Sequence, residues 1–148
     1  MTRSILALLL AAPLVAGCLT TRTAPADAVE WGSSFGMCVG YCAARLVVAG
    51  GTATLTETAT RSGELPPRVQ MRALTSAEAA SLAEARTASR VATDTLGCPD
   101  CADGGAEYVA LGGQRVTFEF GGDAGGATPL AEALRAIRQT FPRDPANL

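Results

Sequence analysis

The sequence predicts an α+β domain in which an antiparallel sheet, built from two hairpins, carries two helices packed on one of its faces. Two glycine pairs, at residues 50–51 and 112–113, each separate two stretches with the composition of β-strands. Two helix signals follow, a capping box at residues 75–78 and a helical apolar period across residues 130–141. The order strands, helix, strands, helix favours helices gathered on one face of an antiparallel sheet.

The chain divides into three parts. It has 148 residues, of which 48% are hydrophobic and 18% are charged, which fits one compact domain. We assign residues 1–17 to a signal peptide, residues 18–29 to a lipidated N-terminus and tether, and residues 30–148 to a single α+β domain. The tether contains Thr, Pro, Ala and a few charges without an apolar period.

The N-terminal residues have the three-part pattern of a secretory signal. Arg3 precedes an apolar run at residues 5–12, and small residues continue to Gly17. The run is too short for a membrane-spanning helix, which needs about 20 apolar residues. Residues 14–18 (LVAGC) closely resemble the lipobox of bacterial lipoproteins. The resemblance implies cleavage after Gly17 and lipidation of Cys18, and two or more acyl chains would give a lasting membrane anchor.

The same resemblance implies a location in the bacterial cell envelope. Lipoproteins retained in the inner membrane of bacteria with two membranes commonly carry Asp after the lipidated cysteine, whereas this chain has Leu19. We therefore expect a lipid anchor in the outer membrane, with the domain facing the periplasm, if the host has two membranes. In a host with one membrane, the anchor would hold the domain on the outer face of the plasma membrane. The alternatives are an ordinary secreted protein that is cleaved nearby, and a buried Cys18 without modification.

The first half of the domain predicts four strands and a helix. The strands are expected at residues 30–37, 45–49, 52–60 and 68–74. The second and third form a hairpin through Gly50 and Gly51, since paired glycines accept the positive φ angles of a two-residue turn. The helix has Thr75 as its N-cap and extends to about Ser89. Its small apolar face predicts close packing against the sheet and consists of Ala79, Leu82 and Ala83.

The second half predicts another hairpin and the helix that covers the core. Strands are expected at residues 106–111 and 114–120, joined by residues 112–113. The buried face of the second strand is expected to consist of Val116, Phe118 and Phe120. Thr128 is the expected N-cap of the helix and Pro129 its first residue. The apolar residues that recur at helical spacing are Leu130, Leu134, Ile137 and Phe141.

Two absences from the composition restrict the chemistry. The chain contains no histidine, and its 12 basic residues are all arginine. It therefore lacks the usual proton shuttle, the commonest zinc ligand and any lysine nucleophile, so we do not expect an enzyme. The net charge of −2 provides no basic field, so nucleic-acid binding is disfavoured.

Cysteine occurs after Cys18 in two segments, residues 35–42 and residues 98–107. The thiols concerned are Cys38, Cys42, Cys98 and Cys101. In an exported chain they predict disulfides, for which three pairings are open. A local bridge in the first segment requires a turn at residues 39–41, because the two Cα atoms would lie about 13 Å apart in an extended strand. An extended segment would instead favour bridges between the two segments.

Other chemistries remain open for these two segments. Four thiolates at this spacing could bind structural zinc. A redox-active Cys98–Cys101 pair is disfavoured by its acidic neighbours, which oppose thiolate formation. Asp100, Asp103 and Glu107 are candidate calcium ligands, although the two aspartates suit turns and Glu107 is expected to be exposed at a strand start. We expect no cofactor, with zinc and calcium as the alternatives.

Residues 35–42 (FGMCVGYC), 97–107 (GCPDCADGGAE) and 116–120 (VTFEF) resemble a family of small, uncharacterised bacterial lipoproteins. The resemblance covers most of the domain in layout and implies no activity. With the lipobox, it favours a lipid-anchored envelope protein that has a non-enzymatic binding or structural role. Its expected partners are the membrane, through the lipid, and an envelope protein. The alternatives are a small protease inhibitor, and a thiol- or metal-dependent enzyme that uses the Cys98–Cys101 loop.

Overall fold

The structure, a computed structural model, describes residues 27–59 and 65–142. The signal peptide, Cys18 and most of the tether lie outside the described residues. The fold class is confirmed: the domain is α+β, with a seven-stranded, mostly antiparallel sheet and two helices. Among the described residues, neither helix has the length and apolar character that crossing a membrane requires.

The strands, in chain order, are β1 (Val29–Ser34), β2 (Tyr41–Ala49), β3 (Thr52–Ala59), β4 (Arg68–Ala73), β5 (Asp94–Thr95), β6 (Ala106–Leu111) and β7 (Gln114–Glu119). The helices are α1 (Ser76–Ala88) and α2 (Thr128–Gln139). Across the sheet the order is β4-β3-β2-β1-β6-β7-β5, so β1 is central and has one hairpin on each side. The short strand β5 runs parallel to β7, and the sequence does not predict it.

Both glycine turns are confirmed. The φ angles are +54° and +75° at residues 50–51, and +59° and +81° at residues 112–113. Two consecutive positive φ angles match the twist of the flanking strands, and glycine adopts them without a steric penalty. The turns fix the register of each hairpin, so that Ala49 lies opposite Thr52 in the first one.

The sheet has a helix face and an open face. On the helix face, alternate strand residues pack against α2 and form the core. The fully buried large side chains are Phe118, Leu46, Leu55, Leu130, Leu134, Val29 and Val109. The open face carries threonines and charged side chains, together with the exposed Val69 and Met71 of β4. The apolar side of β4 therefore faces solvent.

The two helices begin in different ways. The side chain of Thr75 accepts a hydrogen bond from the N–H of Glu78, and the Glu78 carboxylate accepts one from the N–H of Thr75, which confirms the capping box. Helix α2 begins at Thr128 with Ala127 as its N-cap, so the predicted cap is wrong by one residue. The Thr128 hydroxyl instead accepts a hydrogen bond from the N–H of Ala124 at 3.1 Å.

Helix α1 packs chiefly against α2, through Leu82 and Ala85. The prediction that Ala79 and Ala83 belong to a face packed closely on the sheet is wrong, because both are exposed. Their methyl groups offer little apolar area, so the wider apolar stripe of α2 covers the sheet and α1 lies beside it.

The apolar stripe of α2 is confirmed by its buried residues, which are Leu130, Ala131, Leu134 and Ile137. Phe141, just beyond the helix, is also buried. The prediction for Phe120 is wrong: β7 ends at Glu119, and the Phe120 side chain is 47% exposed. The strand alternation that buries Val116 and Phe118 stops before it reaches this residue.

Candidate functional site

The first cysteine segment forms the connection between β1 and β2. Cys38 is bonded to Cys42, with Cα atoms 5.7 Å apart, so the pairing is local. The turn that such a bridge requires is present, since Gly40 has a φ of +88°. The N–H of Phe35 donates to the carbonyl of Cys42 at 3.0 Å and closes the loop.

The second cysteine segment is a compact loop between β5 and β6. Cys98 is bonded to Cys101, with Cα atoms 5.5 Å apart. Among the described residues, the four thiols thus form two separate local bridges, and no cluster of three or more His, Cys, Asp or Glu side chains is placed to hold a metal ion. The loop is held to β7 by a hydrogen bond from the N–H of Cys98 to the Glu119 carboxylate at 3.0 Å.

The three candidate calcium ligands do not come together. Asp100 and Asp103 are exposed in the loop, with φ angles of +64° and +60°, as expected of aspartates in turns. The prediction that Glu107 is exposed is wrong: it is 3% exposed, on the helix face of β6. Its carboxylate accepts a hydrogen bond from Nε of Arg135 at 2.8 Å, and this ion pair makes the burial tolerable.

A cleft of about 970 Å³ opens at the end of the helix face where β1 ends and β2 begins. The C-terminal half of α2 covers one side of the cleft, and the Cys38–Cys42 loop forms another. Its lining residues include Trp31, Ser33, Phe35, Val39, Tyr41, Ala44, Glu57, Arg68, Glu107, Phe120, Arg135 and Arg138. We call this site the cleft below.

Buried ion pairs form the floor of the cleft. The Glu57 side chain is 9% exposed. One of its oxygens accepts from Nε of Arg68 at 2.8 Å, and the other accepts from Nη2 of Arg138 at 2.7 Å. Glu107 pairs with Arg135, whose Nη2 also donates to the carbonyl of Gly122 at 3.1 Å. Each buried carboxylate is therefore matched by arginine, which burial of a charge requires.

Aromatic side chains form the walls. The rings of Phe35 and Phe120 lie with their centroids 4.5 Å apart at an angle of 58°, within the range of favourable aromatic pairs. The Tyr41 hydroxyl donates to the carbonyl of Pro66 at 2.9 Å, which fixes its ring. Gly105 allows Phe35 to take its place, because a Cβ on residue 105 would lie 2.5 Å from the Phe35 ring.

Trp31 lies between the core and the cleft. It is 5% exposed, and it lines the cleft from the centre of the sheet. Its indole Nε1 is buried and has no hydrogen-bond acceptor among the described residues. Such a donor is rare in a folded protein, where nearly all buried N–H groups are paired.

A second polar cluster lies on the open face, around Glu30. Its carboxylate accepts from Arg45 at 2.5 Å, from the Tyr108 hydroxyl at 2.5 Å and from Arg115 at 3.4 Å. Burial raises the pKa of Glu30, but hydrogen bonds from Arg45 and Tyr108 outweigh this effect and hold the pKa below its usual value. Burial and the bond to Glu30 raise the pKa of Tyr108 to about 12. This cluster joins side chains of β1, β2, β6 and β7 on the open face.

Comparison of the chain with protein-family models, with curated proteins and with solved structures finds no match.

The sequence points to the first cysteine segment and to Glu107, which line the cleft, but not to the paired Glu57 and Arg138 that complete it. Glu57 was the available signal: it occupies an inward position of β3, after the buried Ala53 and Leu55. A carboxylate on the apolar side of a strand needs a buried partner. That partner, Arg138, is distant in sequence, so the pattern alone does not identify it.

Proposed function

We propose that the protein is a lipid-anchored component of the bacterial cell envelope with a non-enzymatic binding role, and that its ligand binds in the cleft. The observation that carries this proposal is the cleft itself, about 970 Å³ in volume, with aromatic walls and a floor of ion pairs. Ligand sites are typically concave and largely apolar, with a volume of several hundred cubic ångströms and a few placed polar groups. The cleft fits that description.

The state of the polar groups in the cleft favours binding over catalysis. Glu57 and Glu107 are both held by arginine, so neither carboxylate is presented as a general base. Cys38 and Cys42 are joined in a disulfide, so neither supplies a thiolate nucleophile. These observations support a site that recognises a molecule without transforming it.

The small molecules that co-purify with the intact protein test whether the cleft binds a ligand. We would purify the full-length lipidated protein from its own membranes into lipid nanodiscs and extract bound small molecules for mass spectrometry. We expect a bound molecule in the wild type and in Met71→Ala, and its loss in Phe120→Ala. Both substitutions truncate exposed apolar side chains, at 68% and 47% exposure, but only Phe120 lines the cleft. Equal recovery from both variants, or none from the wild type, would contradict the proposal.

The anchor is a separate part of the proposal. It is supported by the similarity of residues 14–18 to a lipobox, and Cys18 lies outside the described residues. Labelling with radioactive palmitate should mark the wild type and a Cys98→Ser variant, and should not mark Cys18→Ser. Label retained in Cys18→Ser would show that the thiol of Cys18 is not the attachment site.

One observation favours protease inhibition as a second candidate function. Met37 and Val39 are 78% and 95% exposed on a loop that the Cys38–Cys42 bridge braces. Rigid exposed loops are preorganised for insertion into a protease active site. A panel of serine and cysteine proteases should then be inhibited by the wild type and not by Val39→Asp. Absence of inhibition by the wild type would eliminate this candidate.

A further inference from the structure

We infer that the ligand of the cleft carries a carboxylate on an apolar body, which is the chemistry shared by the C-terminus of an apolar peptide and a fatty acid. This inference rests on the proposed binding function. It follows from three properties of the cleft: its charge, its unpaired donors and its aromatic walls.

Among the described residues, arginines outnumber carboxylates in the lining of the cleft. They comprise three arginines, at positions 68, 135 and 138, and two glutamates, at positions 57 and 107. The two carboxylates are paired, so their repulsion of an anion is compensated locally. A ligand that carries a negative charge would accept charge-assisted hydrogen bonds from these guanidinium groups in a partly desolvated site.

Two of these arginines also have guanidinium nitrogens without a hydrogen-bond acceptor among the described residues. Among the described residues, Arg138 makes one side-chain hydrogen bond, from Nη2 to Glu57, which leaves Nε and Nη1 unpaired. Arg135 bonds through Nε and Nη2, so its Nη1 also has no described partner. Each of these nitrogens can donate a charge-assisted hydrogen bond to a carboxylate oxygen.

Trp31 provides a second unpaired donor in the cleft, independent of the arginines. Its Nε1 is a donor only, is buried, and has no acceptor within the part of the chain that the structure describes. A buried donor without a partner is costly, so a ligand that supplies an oxygen acceptor would recover that energy. The unpaired groups on Arg138 and Trp31 are all donors, and both residues line the cleft. They select an acceptor-rich group over an amide or an amine.

The aromatic walls of the cleft indicate that the rest of the ligand is apolar. Phe120 and Tyr41 present aromatic surface to the cleft, and Val39 extends this apolar surface towards solvent. These residues offer contact area to an apolar body next to the carboxylate. An amphipathic molecule of this kind would contact both the unpaired donors and the aromatic walls.

The test uses Trp31 fluorescence, because Trp31 is the single tryptophan of the chain. The full-length protein in nanodiscs would be titrated with acetyl-Ala-Leu-Leu and with octanoate. Each acid would be compared with its neutral amide, with empty nanodiscs subtracted. We expect at least one acid to bind about tenfold or more tightly than its amide, since a charge-assisted bond is lost in the amide. Whether peptide acid or octanoate binds more tightly identifies the source of the carboxylate.

Matched variants locate the carboxylate. Arg138→Gln should bring the acid and the amide to the same affinity, whereas Arg115→Gln, on the open face, should keep the difference. Trp31→Phe, followed by calorimetry, should weaken binding of the acid several-fold, because the oxygen of the ligand then loses the indole donor.

Two results would overturn the inference. If each amide binds as tightly as its acid, the carboxylate is not recognised, while the proposed function of the cleft stands. If neither acid changes the Trp31 signal, the ligand class is wrong. The mass spectrometry of bound molecules, with Phe120→Ala against Met71→Ala, then decides separately whether the cleft binds anything.

Discussion

Tyr108, on the open face, makes the stability of the fold depend on pH. Its pKa is raised to about 12 by burial and by the hydrogen bond that it donates to Glu30. An unfolded tyrosine titrates near 10. Because the folded pKa is the higher one, the contribution of Tyr108 is fully present below about pH 10 and is lost as the pH rises through about 12.

We therefore predict that the free energy of unfolding of the wild type falls between about pH 10 and 12 by about 1–2 kcal/mol more than that of Tyr108→Phe. The expected difference is smaller than the full shift implies, because the side chain is partly in contact with solvent. Urea denaturation at a series of pH values measures it. Tyr41 is present in both proteins, so parallel declines would show that Tyr108 does not cause the effect.

Gly32 is needed for the same cluster. A Cβ at this position would lie 2.3 Å from the Tyr108 ring, far inside van der Waals contact. Tyr108 is tethered to Glu30, so its ring moves aside only by giving up that hydrogen bond. We predict that Gly32→Ala lowers the free energy of unfolding by about 1–3 kcal/mol. In a Tyr108→Ala background the same substitution should cost much less, and equal costs in the two backgrounds would contradict this explanation.

At the scale of the element, the start of α1 joins a helix cap to an ion pair. Arg72 of β4 donates to the Glu78 carboxylate at 2.6 Å, and Thr75 donates to it through its N–H at 2.8 Å. The hydrogen bond from Arg72 is the main reason that the pKa of Glu78 falls to about 2. Because the folded pKa is depressed, this contribution is present above about pH 4.3 and is lost as the pH falls towards 2.

We predict that acidification from about pH 5 to pH 2 destabilises the wild type by about 1 kcal/mol more than Glu78→Gln, which retains the capping geometry without the charge. Thr75→Ala should instead cost about 1 kcal/mol at neutral pH through loss of the cap. Thermal denaturation of the three proteins across this pH range separates the two effects. If the wild type and Glu78→Gln lost the same stability on acidification, the ion pair between Arg72 and Glu78 would not be the cause.

The elements that the sequence predicts correctly are those with local causes. The glycine pairs at residues 50–51 and 112–113 determine their own turns, and Thr75 with Glu78 determines a helix start. The sequence-based predictions are wrong where burial or strand pairing depends on residues that are distant in the sequence. Whether Ala79 or Ala85 is buried depends on where α2 lies, and β5 exists only because its two residues pair with β7.

The same distinction separates the cysteine loops from the cleft. The turn at Gly40 lies within the segment that contains Cys38 and Cys42, so sequence spacing could state what a local bridge requires. The cleft brings together Trp31 of β1 and Arg138 of α2, and no short-range pattern connects them. Only the topology places these two residues in one site.

At the scale of the whole molecule, the cleft and the entry of the chain lie at opposite ends of the central strand. Val29 begins β1 beside both glycine turns, opposite Val48 and Leu111, whereas the cleft is lined by Trp31 and Ser33 and extends past the other end of the strand to Phe35. The six residues of β1 separate the ends of the strand by roughly 17 Å. With the proposed anchor on Cys18, the chain would enter the domain at the end away from the cleft.

The two disulfides should differ in function although they are alike in size. Each closes a very short loop, so loss of either is expected to cost roughly 2 kcal/mol on the chain-entropy account. Only the Cys38–Cys42 bridge braces a wall of the cleft, because Val39, Tyr41 and Cys42 line it and Cys98 and Cys101 do not.

We therefore predict that Cys38→Ser/Cys42→Ser weakens binding of the preferred acid at least fivefold, because the loop between β1 and β2 must then be ordered when the ligand binds. The matched pair Cys98→Ser/Cys101→Ser should lower the melting temperature by a similar amount and change binding less than twofold. Thermal denaturation and Trp31 fluorescence titration of both double variants measure the two quantities. If both variants lost affinity equally, the cleft would depend on the whole loop region, and the Cys38–Cys42 bridge would have no separate role in it.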